Sequence, residues 1–178
     1  MTNFDFTLIV GNVDPSIEGF EDRFFEAGCD DATIALMNGH VALCFDRDAR
    51  DFQTAVFTAY EDVLSAGSLV LRFEPDFLVS ASEIATRAKL SRAAVSLYAR
   101  GERADGFPAP YANITTNSPL WDWVKVSAWL CRNDKINECE FRHAQVSRVI
   151  NFGSQFGHDL STIKSHVMEA MKVEVANA

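Results

Sequence analysis

The stretch SRAAVSLYARG, Ser91 to Gly101, holds the residues best suited to contact chemistry. Ser91 stands where a helix cap is expected, and Gly101 where a helix stops. Val95 and Tyr98 are three apart and share one face. Opposite them lie Ser91, Arg92, Ala93, Ser96, Leu97 and Arg100, with Arg103 just beyond. That surface is small, polar and basic. A guanidinium matches paired acceptors on a guanine edge or a phosphate, and a serine hydroxyl serves either kind of partner. The plainer alternative is that Arg92 and Arg100 only solvate a helical face.

Other clusters offer less. Cys131, Cys139 and His143 lack the spacing of a tight zinc pair, and only Cys139 and His143 would share a helix face. Cys29, His40 and Cys44 fit a metal no better. Asp30-Asp31 and Asp46/Asp48 read as solvated strand-end carboxylates. The chain has no nucleophile elbow, no phosphate-cradling glycine loop and no base paired with a serine or cysteine, so an enzyme is not expected. No metal, cofactor or catalytic residue is assigned.

The charge is uneven along the chain. Residues 1–78 hold four Arg and no Lys against fifteen acids, a net −11. Residues 79–132 hold seven Lys or Arg against four acids, a net +3. Residues 133–178 come to −1, and the whole to −9. Because salt screens distant charges, local balance matters more than the total for binding a polyanion. No apolar run is long enough to span a membrane. The N-terminus lacks the basic flank of a secretory signal. The four cysteines are scattered without paired spacing and read as reduced thiols of a cytoplasmic protein.

These residues need elements to position them. Phe4, Phe6, Leu8 and Val10 alternate as in a strand. Ile17, Phe20 and Phe24 have helical spacing before Gly28. Thr33 to Met37 and Val41 to Phe45 flank Asn38-Gly39, a strong hairpin signal. Phe52, Val56, Tyr60 and Val63 form a helical face closed by Gly67, and Leu69, Leu71 and Phe73 alternate again. The order β-α-β-β-α-β predicts an α+β chain that opens with a ferredoxin-like domain over residues 1–74. Glu74-Pro75-Asp76 then breaks the pattern.

From Ser80 the text turns helical. In SASEIATRAKLSRAAVSLYARG, Ser80 or Ser82 can cap the first helix, and Ser80 and Glu83 have capping-box spacing. Ile84, Ala85 and Ala88 face inward, Ala88-Lys89-Leu90 turn, and a second helix follows. Small Ala85 allows close approach. This resembles the helix-turn-helix of DNA-binding proteins, with Lys89 where many members carry glycine. The FPAP of Phe107 to Pro110, a hairpin tip over Ile114 to Ser118, the WDW of Trp121 to Trp123 and the terminal AWL extend the likeness. Residues about 79 to 131 resemble the winged-helix domains of the MerR and phage excisionase type.

That resemblance implies double-stranded DNA as partner, with Arg92 reading guanine edges and Ser96 contacting base or phosphate. Arg100 and Arg103 would reach phosphates, and Thr115, Thr116 and Asn117 would occupy the wing. These wing residues are neutral, which departs from an Arg- or Lys-bearing wing. Residues 134–173 read as two helices, one lined by Phe141, Val146, Val149, Ile150 and Phe156, the other by Leu160, Ile163, Val167 and Met171. They are expected to supply a homodimer interface. The first domain would hold a protein or small-molecule effector. The expected function is sequence-specific transcriptional regulation. The alternatives are a DNA-bending recombination accessory factor, or a protein–protein adaptor whose helix-turn-helix no longer touches DNA.

Overall fold

Asn38 and Gly39 take φ of 51° and 81°. Two consecutive left-handed residues make the turn whose twist suits an antiparallel hairpin. β2 (Ala32–Met37) therefore returns directly as β3 (His40–Ala49), with Met37 opposite His40. The computed structural model describes residues 1–175. Its class is α+β, with a four-stranded antiparallel sheet and, among the described residues, seven helices.

β1 (Thr2–Gly11) runs antiparallel beside β3, placing Phe6 opposite Phe45 and Leu8 opposite Leu43. β4 (Leu69–Glu74) pairs with the other edge of β1, Phe73 opposite Leu8. The strand order is β2-β3-β1-β4. Phe6 stacks on Phe45 at 5.2 Å and on Phe73 at 5.6 Å, so three strands share one aromatic row. α2 (Phe52–Ser65), capped by Asp51, buries Val56, Ala59 and Val63.

Two expectations fail here for local reasons. The spacing of Ile17, Phe20 and Phe24 does not give one helix. Only α1 (Asp22–Glu26) is α-helical. Before it the chain makes successive turns, Ile17 N–H to Asp14 O and Phe20 N–H to Ile17 O, and Gly19 sits at φ 73°. Phe24 is buried, but Ile17 is exposed. In β4 the alternation of Leu69, Leu71 and Phe73 is broken by a register shift against Ile9 and Val10. A bulge inserts one residue and reverses which side chains face the core. Val70 and Phe73 are buried, and Leu69 and Leu71 are exposed.

The chain divides into two units. One is Met1–Pro75 with Val149–Met168, and the other is Asp76–Arg148 with the residues from Glu169 onward. α6 (Glu138–Gln155) and α7 (Leu160–Ala170) thus serve both. They bury Phe141 and Ala144 in the second unit and Ile150, Ile163 and Val167 in the first. Phe156 falls beyond the end of α6 and is exposed, not part of its inward row. In the first unit Asn151 caps the edge of β4: its Oδ1 accepts from Phe73 N–H at 2.7 Å and its Nδ2 donates to Phe73 O at 3.0 Å. This covers part of a sheet edge that would otherwise invite pairing. Gly153 lets α7 approach, since a Cβ there would lie 2.5 Å from Ile163 Cγ1. No helix among the described residues is long and apolar enough to cross a membrane.

The first unit also encloses a charge. Arg47, 7% exposed, donates to both oxygens of Asp31 at 2.7 and 2.8 Å, to Asp62 at 2.7 Å and to Gly28 O at 2.9 Å. Burial disfavours the cation, but its hydrogen bonds with Asp31 and Asp62 outweigh that and hold the guanidinium above its ordinary pKa. Burial, reinforced by Asp62, pushes the nearby Cys29 thiol up to about 12. Removing one partner of a buried ion pair strands the others. Arg47→Ala is therefore expected to lower the unfolding free energy by about 3 kcal/mol in urea titration; a loss below about 1 kcal/mol would show that the network adds no stability.

Candidate nucleic-acid interface

Ser80 begins the second unit's helical pair. Its N–H donates to Glu83 Oε2 at 2.7 Å, and its Oγ accepts from Glu83 N–H at 3.3 Å. This capping box starts α3 (Ala81–Arg87). The helix ends in a Schellman turn: Leu90 N–H bonds Ala85 O at 2.8 Å and Lys89 N–H bonds Thr86 O at 3.2 Å. Lys89 occupies the left-handed position at φ 53°, which glycine takes most easily. Two residues later Ser91 Oγ accepts from Ala94 N–H at 3.1 Å and starts α4 (Arg92–Ala99).

The pair closes on one core. Ile84, Ala85, Ala88, Ala94, Val95 and Tyr98 are buried, and Leu90 packs against them. α5 (Trp123–Arg132) completes that core with Val126, Trp129 and Leu130. Tyr98 lies 5.0 Å from Trp129 edge-on and 6.1 Å from Phe107 in a stacked arrangement, and Phe107 meets Trp129 at 5.1 Å. Trp129 Nε1 donates to Asp105 O at 3.0 Å, and Trp121 Nε1 to Pro108 O at 3.1 Å. The segment after α4 is thus fastened to the same core as α4 itself.

A short antiparallel pair joins β5 (Leu78–Val79) to β6 (Trp121–Asp122). Between α4 and β6 the chain forms a loop closed by a single bridge, Ala112 to Leu120. The expected hairpin tip over Ile114 to Ser118 is a turn without strand pairs inside it. Thr115, Thr116 and Asn117 are all exposed there. The Thr116 hydroxyl, however, donates to Asn113 O at 2.9 Å and accepts from Ser118 N–H at 3.1 Å, so it holds the turn.

On the outer face Ser91, Arg92 and Ala93 are exposed, and Ser96 and Leu97 are half-buried. Arg92 and the neighbouring Lys89 engage in no hydrogen bond or ion pair through their side chains among the described residues. Arg100 is different. Its Nε and Nη2 donate to the two oxygens of Glu102 at 2.6 and 3.2 Å, and its Nη1 to Ser96 Oγ at 2.9 Å. The bond to Glu102 raises the Arg100 pKa and lowers that of Glu102. Sequence spacing did not single out Glu102. The signal was Gly101, which at φ 70° ends α4 and brings the chain back, Glu102 N–H bonding Leu97 O at 2.9 Å. Arg103 lies over the Tyr98 ring at 5.3 Å. Arg87, half-buried, lies over the Trp123 ring at 5.5 Å and donates to Asp76 O, and burial lowers its pKa.

The arrangement leaves Lys89 and Arg92 as the freest cations at the turn and the start of α4, with Arg100 neutralised behind them. Cys139 is exposed and His143 half-buried, with its pKa lowered by burial. Among the described residues no group of three or more His, Cys, Asp or Glu is placed to hold a metal ion. Comparison with protein-family models, curated proteins and solved structures finds no match to this chain.

The strain at the turn is testable. A non-glycine residue in the left-handed region costs about 1 kcal/mol. Lys89→Gly should therefore raise the midpoint of thermal unfolding of the full chain by a few degrees, roughly 2–4 °C for a chain of this size. A lowered midpoint would mean that Lys89 is held there by contacts of its own.

Proposed function

We propose that this chain is a sequence-specific DNA-binding transcriptional regulator that reads the major groove with the helix Ser91–Arg100. The observation that carries the reading is the start of α4. Ser91, Arg92 and Ala93 are exposed together, Arg92 is unpaired, and the turn before them presents Lys89. A helix entering the major groove touches base edges with its N-terminal residues. The residues there must be small or able to match base-edge acceptors, and these are both.

Other features support finer parts of the reading. The order β2-β3-β1-β4, with crossovers through α1 and α2, is that expected of a ferredoxin-like module. The β5–β6 pair, the closed loop and α5 follow α4 in the sequence order of a winged helix-turn-helix. Binding as a homodimer would double a DNA-facing surface that is small in one copy. An effector, protein or small molecule, would then act through the first unit.

The adaptor alternative has its own support. Glu102 neutralises Arg100, the loop bears no cation from Gly106 to Leu120, and the chain is acidic overall. A helix-turn-helix that binds protein needs no phosphate contacts.

Selection from a random duplex pool, followed by anisotropy on the enriched sequence, separates the two. The regulator reading expects an enriched sequence, with Arg92→Ala weakening binding to it by about tenfold or more, the worth of one bidentate guanine contact. No enrichment at low salt, or an unchanged affinity for Arg92→Ala, would overturn the assignment of α4 as the reading helix.

A further inference from the structure

β2 and β4 are the two edges of the first unit's sheet, and only one of them is guarded. β4 is bulged against Ile9 and Val10, carries Arg72 and Glu74, and has Phe73 held through both its N–H and its O by Asn151. Bulges, charges and covering groups are the usual means of keeping an edge from pairing with another chain. β2 has none of them. Its six residues, Ala32 to Met37, hold no charge, no proline and no bulge in their register with β3.

The phase of the β2–β3 ladder fixes which groups the open edge presents. Asp46 N–H bonds Asp31 O at 3.1 Å. Asp31 and Asp46 are therefore a bonded pair, and the alternation of an antiparallel ladder makes Thr33–Cys44, Ala35–Ala42 and Met37–His40 the next ones. Ala32, Ile34 and Leu36 point their N–H and C=O the other way. Ala32 N–H turns back to Cys29 O at 3.1 Å. The N–H and C=O of Ile34 and Leu36 meet no partner among the described residues. The exposed side chains of Leu36 and Met37 flank them.

We propose that β2 is a homodimer edge: the β2 strands of two copies pair antiparallel about a two-fold axis at Ala35, and the two sheets become one. In this register Ile34 of each copy exchanges both backbone hydrogen bonds with Leu36 of the other, so every open group of the edge is satisfied. The strand is its own complement, as a two-fold interface requires. Charge selects this occupant. Residues 1–78 carry a net −11, so a second copy meets like charge on most approaches, whereas β2 on β2 brings uncharged residues together. Asp31 is engaged by Arg47. Antiparallel alignment sends the exposed Asp30 of each copy toward the other's exposed turn and His40, not toward its Asp30. A basic extended segment, the alternative occupant, finds no acid along β2 to recognise. The pairing gives a surface to the homodimer of the reading above but needs no DNA, so its failure leaves the assignment of α4 untouched.

Sedimentation of the full-length protein at tens of micromolar, without DNA, should give twice the mass of one chain. Leu36→Pro removes an N–H that faces away from β3, so it costs no bond within the sheet. By symmetry it removes two bonds between copies, and the dimer dissociation constant should rise roughly thirtyfold, with far-ultraviolet circular dichroism unchanged. Leu36→Lys, a charge at an exposed edge position, should also weaken the dimer. Ala35 points its own N–H and C=O at β3, so across the axis it forms a non-hydrogen-bonded pair about 4.5 Å apart, within disulfide reach. In a Cys139→Ser background, which removes the exposed thiol, Ala35→Cys should therefore crosslink to its own copy on mild oxidation. Thr33→Cys should not, because its two copies lie about 13 Å apart along the strands. A monomer for the unaltered protein would overturn the proposal and leave β2 to an extended segment of another protein. A dimer that survives both Leu36 substitutions, or that forms without the Ala35→Cys crosslink, would overturn it in favour of another face.

Discussion

The aromatic triad of Tyr98, Phe107 and Trp129 is the contact on which the second unit depends. Tyr98 is the inward residue of α4, Trp129 belongs to α5, and Phe107 opens the loop that follows. Each such ring pair adds about 0.5–1.5 kcal/mol beyond the area it buries. The larger effect is geometric. Fixing Tyr98 fixes the rotation of α4 about its axis, because residues three or four apart share a face. Arg92 and Ser96 are outward because Val95 and Tyr98 are inward. The same triad, with the indole of Trp129 bonded to Asp105 O, fixes where the loop leaves the core. α4 and the loop are therefore placed by one set of contacts.

The two units solve the problem of charge in opposite ways. The first carries a large excess of acid yet buries one arginine, Arg47, among Asp31, Asp62 and Thr58. There an arginine organises carboxylates. In the second unit Arg100 and Glu102 meet on the surface, their side chains 55% and 51% exposed. An exposed pair of that kind is worth little and exchanges easily. Arg100 is thus tethered in a pair that can open, and its bond to Ser96 keeps the guanidinium along the helix.

Much of this was legible in the residues, and the failures share a cause. Asn38-Gly39, the alternation of Phe6, Leu8 and Val10, and the inward set Ile84, Ala85, Val95 and Tyr98 all follow local rules that the structure obeys. The outward face of α4 followed by subtraction. Ile17 misled because helical spacing says nothing about Gly19 breaking the run. Leu71 misled because a bulge is a property of two strands, and only one was being read. Glu102 was invisible because its partner lies across a helix end. Phe156 misled because the helix ends before it, whereas Phe141, Val146, Ile150, Ile163 and Val167 are buried as their spacing indicates. Lys89 was noticed as a departure, and the structure supplies its meaning, a lysine held at φ 53°.

The distribution of free cations bears on how any duplex would be held. The salt dependence of DNA binding scales with the number of phosphates neutralised, at about −0.9 per contact in the logarithmic slope. Lys89 and Arg92 are unpaired at the start of α4, while Arg100 must first leave Glu102. Arg87 is occupied by Trp123 and Asp76. Arg103 lies over the Tyr98 ring, and from Gly106 to Leu120 the loop contributes no cation. On the proposed reading, α4 and its turn would offer only a few phosphate contacts per copy, so attraction to arbitrary DNA would be weak. Discrimination, on the proposed reading, would come from base edges met by Arg92. That reading makes chemical sense of an acidic chain: its net charge of −9 would suppress loose association with a polyanion, and the few exposed cations would act only where the fit of α4 brings them to the backbone.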